Sequence, residues 1–430
     1  MTDLIIRGAT IDIAVDDGRI TAIGCELPGG RREIDARSLE ILPGVIDVHV
    51  HFNEPGRTEW EGAATGSRAF AAAGGTLFFD MPLNSSPCTL NAKAFDEKHA
   101  ALAASSVTDF ALWGGIVPGN RDQLAELAER GVIGFKAFMS DSGLPEFPRS
   151  DDLTLYEGMR EAARLDLPVA LHAESEEITR ALSQRFQHAG RCSVRDYLDS
   201  RPVIAEVEAI ERASLLAREA GAKLHIVHIS SGRGVAAALE ARARGTDITL
   251  ETCPHYLMFT GEDMERLGAV AKCAPPLRDK AEQQSLWEAV HDGCIDIIGS
   301  DHSPAPPDMK QGDNFFRIWG GIAGISATLP SLLERVPLER IGEMLATHPA
   351  RRFGIEHKGQ IAIGCDADFA LVDVCEPWTM DAGSLVQRHR SSPYIGRTFP
   401  GRAVKTILRG QEIPSGTCGT LVKPTKRYYR

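Results

Sequence analysis

The sequence predicts an α/β protein: a (β/α)8 barrel of the TIM type, with a small β domain assembled from both ends of the chain. Three observations predict it. Strand-like and helix-like stretches alternate eight times through the middle of the chain, short β-type runs with tight turns sit at both ends, and polar residues recur where the central strands stop. The expected division is residues 1–43 with 352–430 for the small domain, and 44–351 for the barrel.

At the amino end, Leu4-Ile5-Ile6, Ile11-Asp12-Ile13 and Ile20–Ile23 are short β-type runs, and Asp17-Gly18 between two of them is a hairpin signal. Asp368–Val372 and Lys405–Leu408 repeat that style near the other end. Neither end supplies enough strands to stand alone, so the two are expected to join. The expected barrel strands are Val45–Val50, Thr76–Met81, Asp109–Trp113, Gly134–Phe138, Val169–His172, Leu224–Ile229, Asp247–Glu251 and Asp296–Gly299. Amphipathic helices are expected at Glu61–Ala73, Asp122–Arg130, Leu153–Leu165, Ala205–Ala220, Gly234–Ala243 and Lys280–His291. An open doubly wound sheet gives a similar alternation, but eight repeats over about 300 residues favour closure.

Composition narrows the function. The 430 residues are 43% hydrophobic and 25% charged, ordinary for a globular protein with a sizeable core. A net charge of −12 argues against nucleic acid or an anionic membrane as the main partner. Nine scattered cysteines without close CxxC pairs read as reduced thiols. The amino end lacks a basic stretch followed by a long apolar run, and no segment reaches the roughly 18 apolar residues that span a bilayer. A cytoplasmic location is expected.

The chemistry is carried by strand ends. In Asp47-Val48-His49-Val50-His51 the histidines lie two apart, so on a strand they share a face and form a candidate metal-ligand pair. His172 ends its strand, His228 ends the run Leu224–Val227, and Asp301 follows Ile297–Ser300. Barrel enzymes build their sites on this rim, from several strands at once. Lys136, inside Ile133–Phe138, is a lysine in a buried strand. It is either salt-bridged or snorkelling, or an amine whose pKa burial lowers until it can add carbon dioxide. His225 precedes His228 by three positions, so it is expected to face the helices; His348 is expected outside the site. His255 and His302 are open between a site role and a structural hydrogen bond.

Asp47–Gly56, Lys136, His172, His228 and Ser300-Asp301-His302-Ser303-Pro304 together resemble the cyclic amidohydrolases, the family of dihydroorotases, hydantoinases and allantoinases. The resemblance runs over nearly the whole chain. It implies two divalent metal ions, zinc foremost, with cobalt, manganese, nickel or iron open. It implies that His49, His51 and Asp301 hold one ion and His172 and His228 the other, with N-carboxylated Lys136 bridging. It further implies a metal-bridging hydroxide that attacks a ring carbonyl while Asp301 shuttles the proton, and a homotetrameric assembly.

Within the family, the allantoinase branch is most similar, through His51–Arg57, Trp60-Glu61-Gly62, Met81–Asn84, Glu251–Tyr256, Ala274–Arg278 and Trp319–Gly324. The positions where dihydroorotases carry their carboxylate anchors are Asn53 and Ala305 here. The resemblance therefore implies a neutral substrate, allantoin, opened to allantoate in purine-nitrogen salvage. Hydantoinase, dihydropyrimidinase-like or dihydroorotase activity are the alternatives, and a non-catalytic scaffold is a third class that intact ligands disfavour. Asn53, Asn84, Cys273, Ala274, His302 and Gly320 are the expected substrate contacts; Asn84 could instead be a turn residue, and the glycine could serve only tight geometry.

Overall fold

The computed structural model describes residues 2–413 and 418–425. Eight strands run parallel in its centre: β1 (Val45–Val50), β2 (Gly75–Asp80), β3 (Asp109–Leu112), β4 (Phe135–Phe138), β5 (Val169–His172), β6 (Leu224–Ile226), β7 (Ile248–Thr252) and β8 (Ile297–Ile298). Neighbours pair in that order, with Gly114–Gly115 carrying the pairing from β3 to β4 past Trp113. The ring closes between β8 and β1: the His51 amide donates to the His302 carbonyl at 2.9 Å, and the Ser300 amide donates to Asp47 Oδ1 at 3.1 Å.

Period-two alternation fills the barrel. Ile46, Val48, Leu77, Phe79, Ala170 and Val227 point inward, and Phe353 seals the base with its ring 5.1 Å from Phe79 and 5.3 Å from Trp113. Phe353 and Ile355 lie beyond the barrel limit drawn from the sequence, yet they belong to this interior cluster. Helices cover the outside. Those at Ala92–Ser105, Asp152–Arg164, Gly232–Ala243 and Lys280–His291 start on Asn91, Asp151, Ser231 and Asp279, whose side chains each accept an amide of the first turn. Each such cap contributes about 1 kcal/mol. The sequence reading missed Ala92–Ser105 and Glu176–His188, although Asn91 is itself a start signal.

Both chain ends build the second unit. Strands Arg19–Gly24, Asp12–Asp16, Leu4–Gly8 and Arg32–Ala36 form one sheet; Gln411–Glu412, Arg402–Leu408, Phe369–Asp373 and Glu40–Pro43 form another. Asp17 (φ 49°) and Gly18 (φ 73°) make the hairpin turn, both in the left-handed region that such a turn requires. Ile6, Ile13 and Val15 from one end share a core with Phe369, Leu371 and Ile407 from the other. That shared apolar face explains why neither end would be stable alone.

Candidate metal centre

A cavity of about 320 Å3 opens at the carboxyl ends of the barrel strands, with His49, His51, His172, His228 and Asp301 on its floor. Local backbone devices aim these side chains. Asp47 pairs opposite Phe78 and Val50 opposite Asp80, so β1 carries one extra residue over that stretch. Such a bulge re-aims side chains. It lets both histidines turn inward while Ile46 and Val48 also pack inside. Beyond β6 and β8, His228 (φ 42°) and Asp301 (φ 45°) sit in left-handed conformations that cost L-residues energy, a pattern concentrated at functional sites.

Asp301 Oδ1 lies 3.3 Å from His49 Nε2 and 3.4 Å from His51 Nε2. One ligand atom from each of these three residues falls within 4.8 Å of the others, making a metal-binding group. On the other side of the floor, His172 Nδ1 and His228 Nε2 approach to 3.1 Å. The two halves adjoin, since the His49 and His228 ring centroids are 5.3 Å apart. Lys136 is fully buried beneath, and its Nζ has no hydrogen-bond partner.

Proton bookkeeping tests whether divalent ions fit. A carboxylate only accepts, so His49 Nδ1, 2.9 Å from Glu251 Oε1, must carry a hydrogen, and Nε2, facing Asp301, is the nitrogen left to meet an ion. His172 Nε2 donates likewise to Glu174 at 2.8 Å, which leaves its Nδ1 lone pair facing His228. Burial pushes His51, His172 and His228 below the usual histidine range, and His172 depresses His228 further. Burial alone would raise Asp301, but His49 and His51 hold it well below the usual carboxylate range. Burial lowers Lys136 to about 7. Buried lone pairs on neutral imidazoles, converging with a carboxylate, are a donor set for a divalent ion. The residues fit.

Sequence reasoning missed the residues that hold this floor in place. Glu251 bridges His49 and His225, with His225 Nε2 2.9 Å from its other oxygen. Gly299 makes room for it: a Cβ there would come within 2.9 Å of the carboxylate. Glu174 is clamped between His172 and Arg201. Both carboxylates stand near strand ends, the same signal that singled out the candidate ligands. The expected outward orientation of His225 is corrected: it lies inside against Glu251 and Phe353, because β6 stops at Ile226 and the strand count no longer decides a face.

Of the expected substrate contacts, Asn84, Cys273, Ala274 and Gly320 line the cavity, whereas Asn53 and His302 do not. Asn84 Nδ2 lies 3.2 Å from His51 Nδ1. Asn53 is fully buried at a left-handed kink (φ 64°), where its carbonyl accepts from Arg57. His302 is buried against Phe52, and its peptide closes the barrel. His255 is buried with neither ring nitrogen hydrogen-bonded, and burial lowers it to about 4. His348 sits away from the site, hydrogen-bonded to the Asp296 carbonyl.

An eight-stranded barrel whose rim gathers imidazoles and one carboxylate around a cavity is the architecture of a cyclic amidohydrolase, and the chain belongs to the amidohydrolase family, whose model matches residues 41–413. Its relatives include the allantoinase of Solibacter usitatus, 63% identical over all of this chain and 98% of that protein, and the allantoinase of Rubrobacter xylanophilus, 56% identical over 99% and 98%. Among solved structures, the L-hydantoinase (dihydropyrimidinase) of Arthrobacter aurescens superposes with a TM-score of 0.94 at 33% identity, covering 98% of this chain and 100% of that one.

Proposed function

We propose that this protein is an allantoinase, which adds water across the cyclic amide of allantoin to give allantoate. The observation that carries the reading is the 63% identity with the Solibacter usitatus allantoinase, end to end. Of the three Lys and Arg side chains on the cavity wall, Arg201 is engaged by Glu174 and Lys272 by backbone carbonyls, and Arg317 is exposed. What supports a neutral substrate is that the positions matching the dihydroorotase carboxylate anchors are Asn53 and Ala305.

We further infer a two-metal site with zinc as the ions, held by His49, His51 and Asp301 and by His172 and His228, with Lys136 as their shared ligand. When bound, such ions polarise a ring carbonyl and lower the pKa of a water. Asp301 takes the proton of the attacking water at Oδ and returns it to the departing ring nitrogen. Its depressed pKa keeps that proton visit brief. Glu251 and Glu174 hold the His49 and His172 rings in the tautomers that leave the inner nitrogens free. Lys136 becomes a ligand once its neutral amine adds carbon dioxide and releases a proton, giving an anionic carbamate; its burial and lack of a partner favour that step.

A homotetramer follows from the family resemblance, and light scattering tests it. A cytoplasmic location fits nine unpaired thiols. The function is tested by offering allantoin, dihydroorotate, hydantoin and dihydrouracil to metal-loaded protein. Allantoin is expected to be the fastest; faster turnover of any other ring overturns the assignment. Native mass spectrometry of the intact protein should find one added CO2, absent in Lys136→Ala together with activity. A Lys136→Ala protein that keeps its metals and its rate refutes the carbamate.

A further inference from the structure

Two lysines that take no part in the chemistry above converge on one segment of the cavity wall. Lys272, 3% exposed, donates from Nζ to the carbonyls of Phe315 at 2.6 Å, Ile318 at 2.5 Å and Phe316 at 3.4 Å. Lys310 donates to the carbonyls of Gly321 at 2.5 Å, Trp319 at 3.1 Å and Ala269 at 3.2 Å. Phe315–Gly321 lies outside any helix or strand, so its carbonyls have no ladder partners. A loop buried in this way needs other donors, and an ammonium supplies three. The Gly321 amide also donates to the Lys272 carbonyl at 2.8 Å, which ties the segment to the residues after β7.

The segment so held carries one unpartnered donor on a residue of the cavity wall. Trp319 lines it, and its indole Nε1 is buried without a hydrogen-bond partner. The ring is fixed edge-on against Trp60, with centroids 4.8 Å apart at 70°. A buried N–H left unmade is costly, and a cyclic ureide offers several carbonyl oxygens to accept it.

We propose that Trp319 is a substrate-binding residue, donating its indole N–H to a carbonyl oxygen of the cyclic amide, and that Lys272 and Lys310 are the positioning residues that hold it there. The proposal rests on the cyclic-amidase reading and adds the residue that selects for the ligand's carbonyl. Trp319→Phe keeps the ring and removes the donor. The loss of one neutral hydrogen bond is expected to raise KM about three- to tenfold and leave kcat and metal content unchanged.

Lys310→Met should raise KM by a similar factor and speed trypsin cleavage after Arg317, which is exposed in the same segment. Lys310→Arg should restore both. Since both changes act through one contact, the double variant should lose little beyond either single. Unchanged KM in Trp319→Phe overturns the contact. Fully additive losses, or cleavage and KM unmoved in Lys310→Met, overturn the positioning role. Should wild-type protein turn over another ring of the panel in place of allantoin, the same ratios are measured with that ring, and the trypsin rate needs no substrate. Failure of the assignment is thereby distinguished from failure of this inference.

Discussion

Glu251→Gln removes one negative charge from the floor of the site and changes almost nothing in shape. The carboxylate accepts from His49 Nδ1 and His225 Nε2, both at 2.9 Å, and from the His228 amide at 3.3 Å. Burial alone would raise its pKa; His49 and His225 overcome that and hold it low, so the native group is anionic. An amide can accept from one imidazole and must turn its NH2 towards the other. One charge-assisted hydrogen bond is lost, about 1.5–3 kcal/mol. Where that loss falls on His49, the ring is free to take the wrong tautomer or swing. Partners that orient metal-binding histidines typically govern affinity by about 10- to 100-fold, or about 1.4–2.7 kcal/mol, and the two estimates agree. The assay is competition for zinc between metal-stripped protein and a coloured chelator, with circular dichroism as the control for folding. Affinity within threefold of wild type in a folded variant would refute the reasoning.

Other outcomes follow from burial and charge. Lys98→Met strands the Asp80 carboxylate, which is buried against the Lys98 ammonium and accepts from the Phe52 amide, and should cost about 3–5 kcal/mol by chemical denaturation; Asp80→Asn in the same chain should recover part of it. Phe353→Ala opens a void at the base of the barrel and should cost about 3–5 kcal/mol, with metal content unaltered in the folded protein. Chelation of divalent ions should lower the thermal midpoint, and zinc should restore it, because an ion held only by the folded state adds about 2.7 kcal/mol at a hundredfold excess over its Kd.

What the sequence made legible was periodic or terminal. Alternation picked out the strands, and their polar last residues picked out the floor of the cavity, because a parallel barrel points all those ends one way. Asp17-Gly18 was readable because only a few residue pairs tolerate that turn. The unread part lies in contacts between distant segments. Glu251 stood at an expected strand end, but its role depends on Gly299 and two imidazoles that are distant from it in sequence. Lys272 and Lys310 bind backbone carbonyls, which every residue possesses, so no partner type in the sequence announces them. His225 was misread because the strand was assumed to run past Ile226, and a single left-handed residue, His228, breaks the count. Asn53 was placed by resemblance on the cavity, and a left-handed kink buries it instead.

The composite sheet has a consequence for how the protein is made. Glu40–Pro43 pairs with Phe369–Asp373, and the entire barrel is translated between them. At about 5–20 residues per second, the early strand leaves the ribosome on the order of tens of seconds before its partner exists. Through that interval its edge is open to any other nascent strand, so crowded expression or slow elongation should penalise this protein more than one whose sheets close locally.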